Sequence, residues 1–302
     1  MPPSKMKREG ENVVFPQVEV NTFVYIHKVI SLDEDSSTIT LMFSVQYEWF
    51  DYHLTYNFLH KDHMDNAQKN LKGKIWTPSI HLALRKDQSS IEINTMYTIM
   101  KQGNATLVGG MGSLTTNETY AGADNPIMLY SVYQGDFICT FLGIDRYPFD
   151  IEHCSVEFYI SGHNKKLARL IPCKIINPGP ATVGQYDVVR WRFEESEQLS
   201  AGKKGVKMTV DLGRNIVSII MVTFLPTVLM NLVNQATNYI DDNFDLLITV
   251  NITCMMVLAS VYVSVSNSLP VTAAIKNIEI WLIFNLAYPV MVILINIILQ
   301  VT

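Results

Sequence analysis

The stretch CTFLGIDRYPFDIEHC, residues 139–154, determines how we interpret this chain. Two of the four cysteines, Cys139 and Cys154, enclose fourteen residues, and an aromatic–proline turn, YPFD at 147–150, lies near the second cysteine. The segments on either side, DFICTF and CSVEFYI, are rich in the aromatic and β-branched residues of strands. The sequence therefore predicts two strands joined by this loop, and it leaves open why both ends carry a cysteine.

The apolar residues of the 302-residue chain are unevenly distributed. Hydrophobic residues make up 48% of the chain and charged residues 17%. Charges are frequent up to Arg214, which indicates a water-soluble part, whereas the remainder has the composition of a membrane-embedded part. The charged residues after Arg214 are Asp241, Asp242, Asp245, Lys276 and Glu279.

Composition and motifs also argue against several classes of function. The net charge of −5 lacks the basic footprint of a nucleic-acid-binding protein, so we expect no nucleic-acid partner. The sequence shows no catalytic triad and no phosphate-binding loop, and we expect no cofactor. His60 and His63 lie one helical turn apart, but two histidines on an exposed segment fit a solvated surface better than a metal site.

Residues 18–214 predict an all-β sandwich of the immunoglobulin-like type, with about ten strands. Residues 18–32 and 37–56 form one predicted hairpin, and YDVVRWRFEES and VKMTVDLGR form another around the tip EQLSAGKKG. Only 61–73 has a helical pattern. Residues 103–125, rich in Gly, Thr and Asn, are expected to form a loop. We expect Cys173 to be a buried strand residue.

Three apolar segments follow, at 215–240, 246–266 and 278–302, and each approaches or exceeds the ~20 residues that span a bilayer. Pro226 and Pro289 are tolerable in such helices if neighbouring groups take up the freed carbonyls. The alternative is a soluble helical domain, but three such segments in succession favour membrane spans. Cys254 is expected to be a small apolar residue of the second span.

The second span carries a polar stripe whose members follow one another by four, three, four, four and three residues, which places them on one helical face. Three interpretations remain open: the hydroxyls bond back to their own helix, the stripe mediates helix contacts, or it lines water. The last requires several copies around an axis. The stripe consists of Thr249, Thr253, Met256, Ser260, Ser264 and Asn267.

Over roughly residues 16–300 these features resemble the pentameric ligand-gated ion channels, or Cys-loop receptors. The linker SLPVTAAIKNIEIW (268–281) is similar to that of glycine receptors. The other residues that carry the resemblance are Trp49, Trp76 and Pro78 in KIWTP, the 139–154 loop with YPFD, Arg214 directly before the first span, and Pro226.

The resemblance implies an extracellular sandwich (residues 1–213) and a transmembrane bundle (214–302) in the plasma membrane, with five subunits around a pore. It also implies a disulfide between Cys139 and Cys154, although the family loop usually holds thirteen residues. A fourth span is expected from the family and is absent from this chain. Sequons at Asn104 and Asn117 support an extracellular, glycosylated sandwich.

By resemblance the second span lines the pore. Met256 occupies the position of a hydrophobic gating leucine, where five copies can close the pore by dewetting; alternatively it packs against neighbouring helices. The linker NYIDDNFD has the length of cation-selective members and no basic residue, and Leu246 replaces their usual glutamate. Asp245, aided by Asp241 and Asp242, can supply an acidic ring instead, unless these acids only solvate a turn. The predicted pore-lining residues are Asp245, Thr249, Thr253, Met256, Ser260, Val263, Ser264 and Asn267.

The family binds agonists between neighbouring sandwiches, in an aromatic box. Here Ala83, Ser161 and Ser44 occupy box positions, and the tip EQLSAGKKG has neither paired cysteines nor an aromatic residue. A cage for a quaternary amine is therefore not favoured, and the agonist remains an unidentified small molecule. The predicted ligand-binding residues are Ser44, Gln46, Ala83, Tyr159, Ser161, His163, Tyr186 and Trp191.

A coupling region between the two halves is also implied, with Arg214 between Asp150 and Glu34 and the aromatic–proline turn against the linker after the second span. The disulfide then either keeps the loop in shape or serves as a simple staple worth ~3 kcal/mol. The predicted coupling residues are Glu34, Tyr147, Pro148, Phe149, Asp150, Arg214, Pro270 and Lys276.

The sequence thus predicts a subunit of a homopentameric, cation-selective channel opened by an extracellular ligand bound between subunits. Its partners are four copies of itself or related subunits, membrane lipid, the agonist and permeant ions. The alternative is an accessory, membrane-anchored binding subunit that conducts only with other subunits. A membrane enzyme with a sandwich domain is a third interpretation, without a catalytic constellation to support it.

Overall fold

The computed structural model describes residues 7–9, 12–14, 17–34, 36–67, 73–83, 91–108, 117–141, 143–161, 167–176, 182–197, 199, 203–239, 244–269 and 275–301. Strands occupy the chain up to Arg214 and helices follow. The strands are β1 Lys7–Glu9, β2 Asn12–Val14, β3 Val18–Asp33, β4 Thr38–Trp49, β5 Thr55–Asn57, β6 Ile80–Ala83, β7 Ile91–Ile99, β8 Thr106–Val108, β9 Asn117–Ala121, β10 Ile127–Thr140, β11 Ile151–Ile160, β12 Ala168–Ile176, β13 Thr182–Val183, β14 Tyr186–Ser196 and β15 Gly205–Arg214.

Ten of these strands form a connected sheet in the order β12-β3-β4-β10-β11-β15-β14-β13, with β7 beside β10 and β6 beside β11. β10 and β11 pair only at their loop ends, where Cys139 faces Cys154 and Thr140 faces His153. Beyond that short junction the two groups of strands separate into layers that pack face to face. Phe43 of one layer meets Phe158 of the other edge to face, with ring centroids 6.1 Å apart.

The core between the layers follows from strand alternation. Along β3 the residues alternate between buried and less buried positions, the pattern of a strand with one face on a core. Trp49 is fully buried and packs edge-on against Trp76 at 6.2 Å between centroids. The expected sandwich is therefore confirmed, and two residues that carried the family resemblance lie together in its core.

Both predicted hairpins are present: β3 pairs with β4, and β14 pairs with β15. The loop prediction for 103–125 is wrong in part, because β8 and β9 form a three-stranded sheet with β5. The helical pattern at 61–73 corresponds to a 3-10 helix, His63–Asn66, whose first turn is capped by the Asp62 side chain. Cys173 is exposed and not buried as predicted, whereas Cys254 is buried.

Three apolar helices follow: α1 Ile216–Thr237, α2 Phe244–Ser268 and α3 Asn277–Val301. Each is long and apolar enough to cross a membrane. Buried hydrogen bonds connect them. Trp281 Nε1 donates to Thr227 Oγ1 at 3.2 Å, and Asn251 Nδ2 donates to Thr237 Oγ1 at 3.0 Å. Such bonds between helices satisfy polar groups that lipid cannot solvate.

Candidate functional site

The loop of residues 139–154, between the two cysteines, lies where the sandwich meets the helices. Cys139 and Cys154 form a disulfide across the β10–β11 junction. The cis Tyr147–Pro148 bond lies in the turn, and Tyr147 and Pro148 are buried whereas Phe149 is exposed. The Tyr147 ring packs with Leu269 at the end of α2 and with Ile278 and Leu282 of α3. The loop therefore touches the helical bundle directly.

Arg214, the last residue of β15, lies at the centre of this joint with its side chain 1% exposed. Its Nε and Nη2 donate to the two carboxylate oxygens of Asp150, each at 2.9 Å. Its Nη1 donates to Glu34 Oε1 at 3.0 Å, and Nη2 also donates to the Tyr186 hydroxyl. The predicted position of Arg214 between Asp150 and Glu34 is the one the structure has.

Two aromatic rings complete the surroundings of the guanidinium. Its carbon lies 4.4 Å from the ring centroid of Tyr147 and 4.5 Å from that of Tyr186, distances at which a cation is attracted to a ring face. Burial by itself would lower the pKa of Arg214, but the hydrogen bonds that it donates to Asp150 and Glu34 outweigh burial and raise this pKa. The cation at the joint is therefore permanently charged.

Tyr147 thus makes a cation–π contact with Arg214 and apolar contacts with the helical bundle. Tyr147 therefore lies between the Asp150–Arg214–Glu34 cluster and the ends of α2 and α3. Of the other predicted coupling residues, Lys276 is buried at the start of α3, where its backbone N–H donates to Glu279 at 2.9 Å. Pro270 lies outside the described residues.

The second candidate site is the outer face of α2. Its predicted pore-lining residues are exposed in this chain, Met256 to 66%. The buried residues are Leu247, Asn251, Cys254 and Leu258. At ~100° per residue these lie on the opposite side of the helix. Thr249 donates to the carbonyl of Asp245 and Thr253 to that of Thr249, each at 2.7 Å, so these hydroxyls do bond back to their own helix.

The third candidate site is the predicted ligand site. The structure brings only some of its predicted residues together. Tyr159 stacks on His81 with centroids 5.9 Å apart, and Lys203 Nζ lies 4.1 Å from the Tyr159 ring centroid. Ser161 is adjacent, its N–H donating to Ser79 O at 2.9 Å. Ala83 ends β6, which pairs with β11 beside Tyr159. The sequence did not predict His81 and Lys203 as ligand residues, because the prediction started from the positions of the family's aromatic box, and neither residue occupies one of them.

Other predicted ligand residues lie elsewhere. Ser44 is fully buried and hydrogen-bonded to His27 at 2.9 Å, so it offers a ligand no surface. Tyr186 belongs to the Arg214 cluster, since its hydroxyl donates to Glu34 at 2.8 Å. Trp191 packs against the sandwich core. Gln46 is half-buried and donates to Glu48 at 2.6 Å, and His163 lies outside the described residues.

Two surface predictions concern the sandwich. Asn104 is exposed, as glycosylation requires, and Asn117 begins β9; modification of either stays a prediction. His60 is exposed near His63, and within the described residues no group of three or more His, Cys, Asp or Glu side chains has a metal-binding arrangement.

Comparison with known proteins places these sites in a family. Residues 5–201 match the family described as neurotransmitter-gated ion-channel ligand binding domain. The chain is 23% identical over 287 residues to a gamma-aminobutyric acid receptor subunit beta from Lymnaea stagnalis, covering 88% of this chain and 52% of that protein. It is 22% identical to the human rho-3 subunit over 275 residues, 88% of this chain and 54% of the relative. The chain therefore spans about half the length of these curated relatives.

The matched residues cover most of the sandwich and include the disulfide loop, the Trp49–Trp76 pair, Glu34 and Asp150. The match to the receptor subunits extends beyond the sandwich into the apolar helices. The chain belongs to the neurotransmitter-gated ion-channel family, the Cys-loop receptors.

Proposed function

We propose that this chain is a subunit of a pentameric channel in which five copies of α2 surround the pore and ligand binding to the sandwich opens it. The observation that carries the proposal is the two-faced packing of α2. Its buried face contacts its own bundle, whereas the opposite face presents hydroxyls and Met256. The Thr249 and Thr253 hydroxyls each donate to their own helix, but a hydroxyl oxygen that faces lipid still lacks a donor for its acceptor sites. A symmetric ring gives this face water instead. The family consists of channels, which excludes the membrane enzyme.

The proposed ligand site lies at Tyr159, His81 and Lys203, between neighbouring sandwiches. The Lys203 ammonium already covers a face of Tyr159, so a quaternary amine would compete with a tethered cation and be repelled by it. Lys204, its neighbour, pairs with Glu197 at 2.9 Å. Because the relatives are named gamma-aminobutyric acid receptor subunits, that amino acid, whose carboxylate Lys203 can attract, is the first ligand to test.

For ion selectivity we propose cations. Asp245 is exposed in the first turn of α2, and the described part of α2 contains no basic residue. Asp241 and Asp242 precede it in the sequence. Five copies of this acidic end would attract cations and repel anions. We also propose that the chain assembles with four copies of itself, because each subunit carries both the α2 face and the Tyr159 cleft.

The test is to express the chain alone and to record membrane current during application of gamma-aminobutyric acid, glycine, glutamate and acetylcholine. We expect a current, evoked by a carboxylate-bearing ligand, whose reversal potential shifts with the external cation concentration and not with the external chloride concentration. Lys203→Met should weaken this response at least tenfold, while the matched control Lys204→Met, on the neighbouring ion pair, should leave it unchanged.

Two results would contradict the proposal. A reversal potential at the chloride potential would refute cation selectivity. Silence across the panel, with pentamers present at the cell surface, would favour the accessory subunit that conducts only with other subunits. The number of subunits is checked independently by the mass of the purified complex.

A further inference from the structure

Glu152 is an acidic residue at the joint to which none of the sites above assigns a role. It lies on β11 opposite Leu212 of β15 and is fully buried. By distance and angle, neither of its carboxylate oxygens makes a hydrogen bond within the described residues, although the Asp150 carboxylate lies close enough to accept one from protonated Glu152. A buried carboxylate without hydrogen bonds is costly in its charged form. Asp150 directly precedes this strand, two residues before Glu152, and is buried as well.

The charged surroundings of Glu152 come from several elements. Asp150 directly precedes its strand, Arg214 ends the paired strand β15, Glu34 lies in the turn after β3, and all three act electrostatically on Glu152. Tyr147 and Tyr186 line the same cluster from the loop and from β14. Three carboxylates thus share the electrostatic influence of one guanidinium, whose nitrogens are bonded to Asp150 and Glu34 and not to Glu152.

This excess of negative charge favours a proton on one carboxylate, and Glu152 is the one without a hydrogen-bonded cation. Burial, followed by the neighbouring Asp150 carboxylate, raises the pKa of Glu152 to about 7, although Arg214 acts in the opposite direction. Because carboxylates this close titrate as a coupled group, the proton belongs to the cluster as much as to Glu152.

We propose that Glu152 is a proton-binding site at the joint between the sandwich and the membrane helices. Protonated Glu152 is neutral, so Arg214 pairs with Asp150 and Glu34 without competition from Glu152. When it loses the proton, a third carboxylate competes for the same guanidinium and weakens the Asp150–Arg214 pair. Proton binding therefore regulates how firmly the disulfide loop is held to Arg214, and through Tyr147 to the ends of α2 and α3.

The sign of the effect follows from linkage. The pKa of Glu152 is higher in the folded chain than the ordinary 4.5 of the unfolded one. Below pH 4.5 the residue is protonated in both states and its contribution to stability is fully present. Between 4.5 and about 7 the unfolded state has lost the proton that the folded state keeps, so stability falls as pH rises. Above 7 the contribution has been lost.

The experiment measures the apparent Tm of the purified full chain in detergent from pH 4.5 to 8.5. We compare the wild type with Glu152→Gln, which has nearly the same shape and cannot ionise. The wild-type Tm should fall by several degrees relative to that of Glu152→Gln as pH rises from 4.5 to 7, and the difference should stay constant above 7. Glu157→Gln, a buried acid on the same strand, is the control and should keep the wild-type profile.

Parallel profiles for the wild type and Glu152→Gln would overturn the proposal, as would a Glu157→Gln profile that loses the same pH dependence. If Glu152→Gln does not assemble, Glu152→Met supplies a second non-ionisable side chain of similar length. The Tm readout requires neither an agonist nor an open pore, so a failure of the channel proposal would leave this result interpretable. Where current is obtained, its amplitude should vary with pH near 7 in the wild type and not in Glu152→Gln.

Discussion

Arg214 combines roles that usually belong to separate residues. It ends the last strand of the sandwich, neutralises Asp150 and Glu34, and lies against two aromatic rings, one of which packs on the helices. A buried ion pair contributes little net stability compared with a well-packed apolar pair, but removing one partner is expensive because the other charge stays buried. The loss of Arg214 would therefore be costly mainly because the carboxylates of Asp150 and Glu34 would lose their cation.

We predict that Arg214→Gln destabilises the chain by about 3–5 kcal/mol, because Asp150 would remain buried without its cation. The measurement is the apparent Tm of the purified protein together with its amount at the cell surface. Arg169→Gln is the matched control, since Arg169 makes an equally bidentate pair with Glu195 but in an exposed position. Normal surface expression with an unchanged Tm in Arg214→Gln would show that the cluster is not structurally required.

At the scale of elements, α2 has one face packed against the bundle and an opposite face that is exposed. Leu258 and Cys254 are buried against the bundle, whereas Met256 and Ser260 are exposed. The exposure of Met256 in a single subunit is compatible with a gate formed by five copies and also with packing against the next subunit. Water accessibility along the helix distinguishes these possibilities.

We predict that cysteines introduced at Ser264, Ser260 and Thr253 react with a charged thiol reagent applied from the aqueous phase, whereas one at Leu258 does not. The background is Cys173→Ser, because Cys173 is exposed and Cys254 is buried. The rate of current block or of labelling of surface protein is measured. Equal reactivity at Leu258 and Ser260 would contradict the assignment of the pore face.

Sequence reasoning predicted the elements better than the contacts. The hairpins were predictable because each consists of two runs rich in β-branched and aromatic residues, separated by a short polar segment. β8 and β9 were missed because they are only three and five residues long and lie in a segment rich in Gly, Thr and Asn. They are joined by hydrogen bonds between Thr106 and Thr119. The ion pair of Arg214 was available only through family resemblance, since its partners are 64 and 180 residues away in the chain.

The ligand positions were harder to predict because strand bulges change which face a residue occupies. Tyr186 and Trp191 are an odd number of residues apart, which in a regular strand places them on opposite faces. A register shift between Val188 and Arg190 breaks that alternation, and both residues contact the sandwich core. A bulge of this kind leaves no clear signal in one sequence. The β14–β15 hairpin was therefore predicted correctly, whereas the position of Tyr186 in the Arg214 cluster was not foreseen among the ligand residues.

At the scale of the whole molecule, one subunit offers an acidic helix end, an exposed polar helix face and the proposed ligand residues around Tyr159. Each of these features gains its proposed function only when copies are arranged around an axis. Five Asp245 side chains would form a ring at the cytoplasmic mouth, where their potentials add and attract cations into the pore. The charge of this ring, and not that of the sandwich, should then determine which ions pass.

We therefore predict that Asp245→Asn lowers the ratio of cation to anion permeability by roughly tenfold, because the ring loses all five charges at once. The measurement is the shift in reversal potential when external sodium chloride is diluted at constant osmolarity. Asp124→Asn, which removes an exposed acid from the sandwich, is the control and should leave the reversal potential unchanged. If Asp245→Asn also leaves it unchanged while the current persists, selectivity is set elsewhere, and the acidic residues before α2 serve only to solvate the turn.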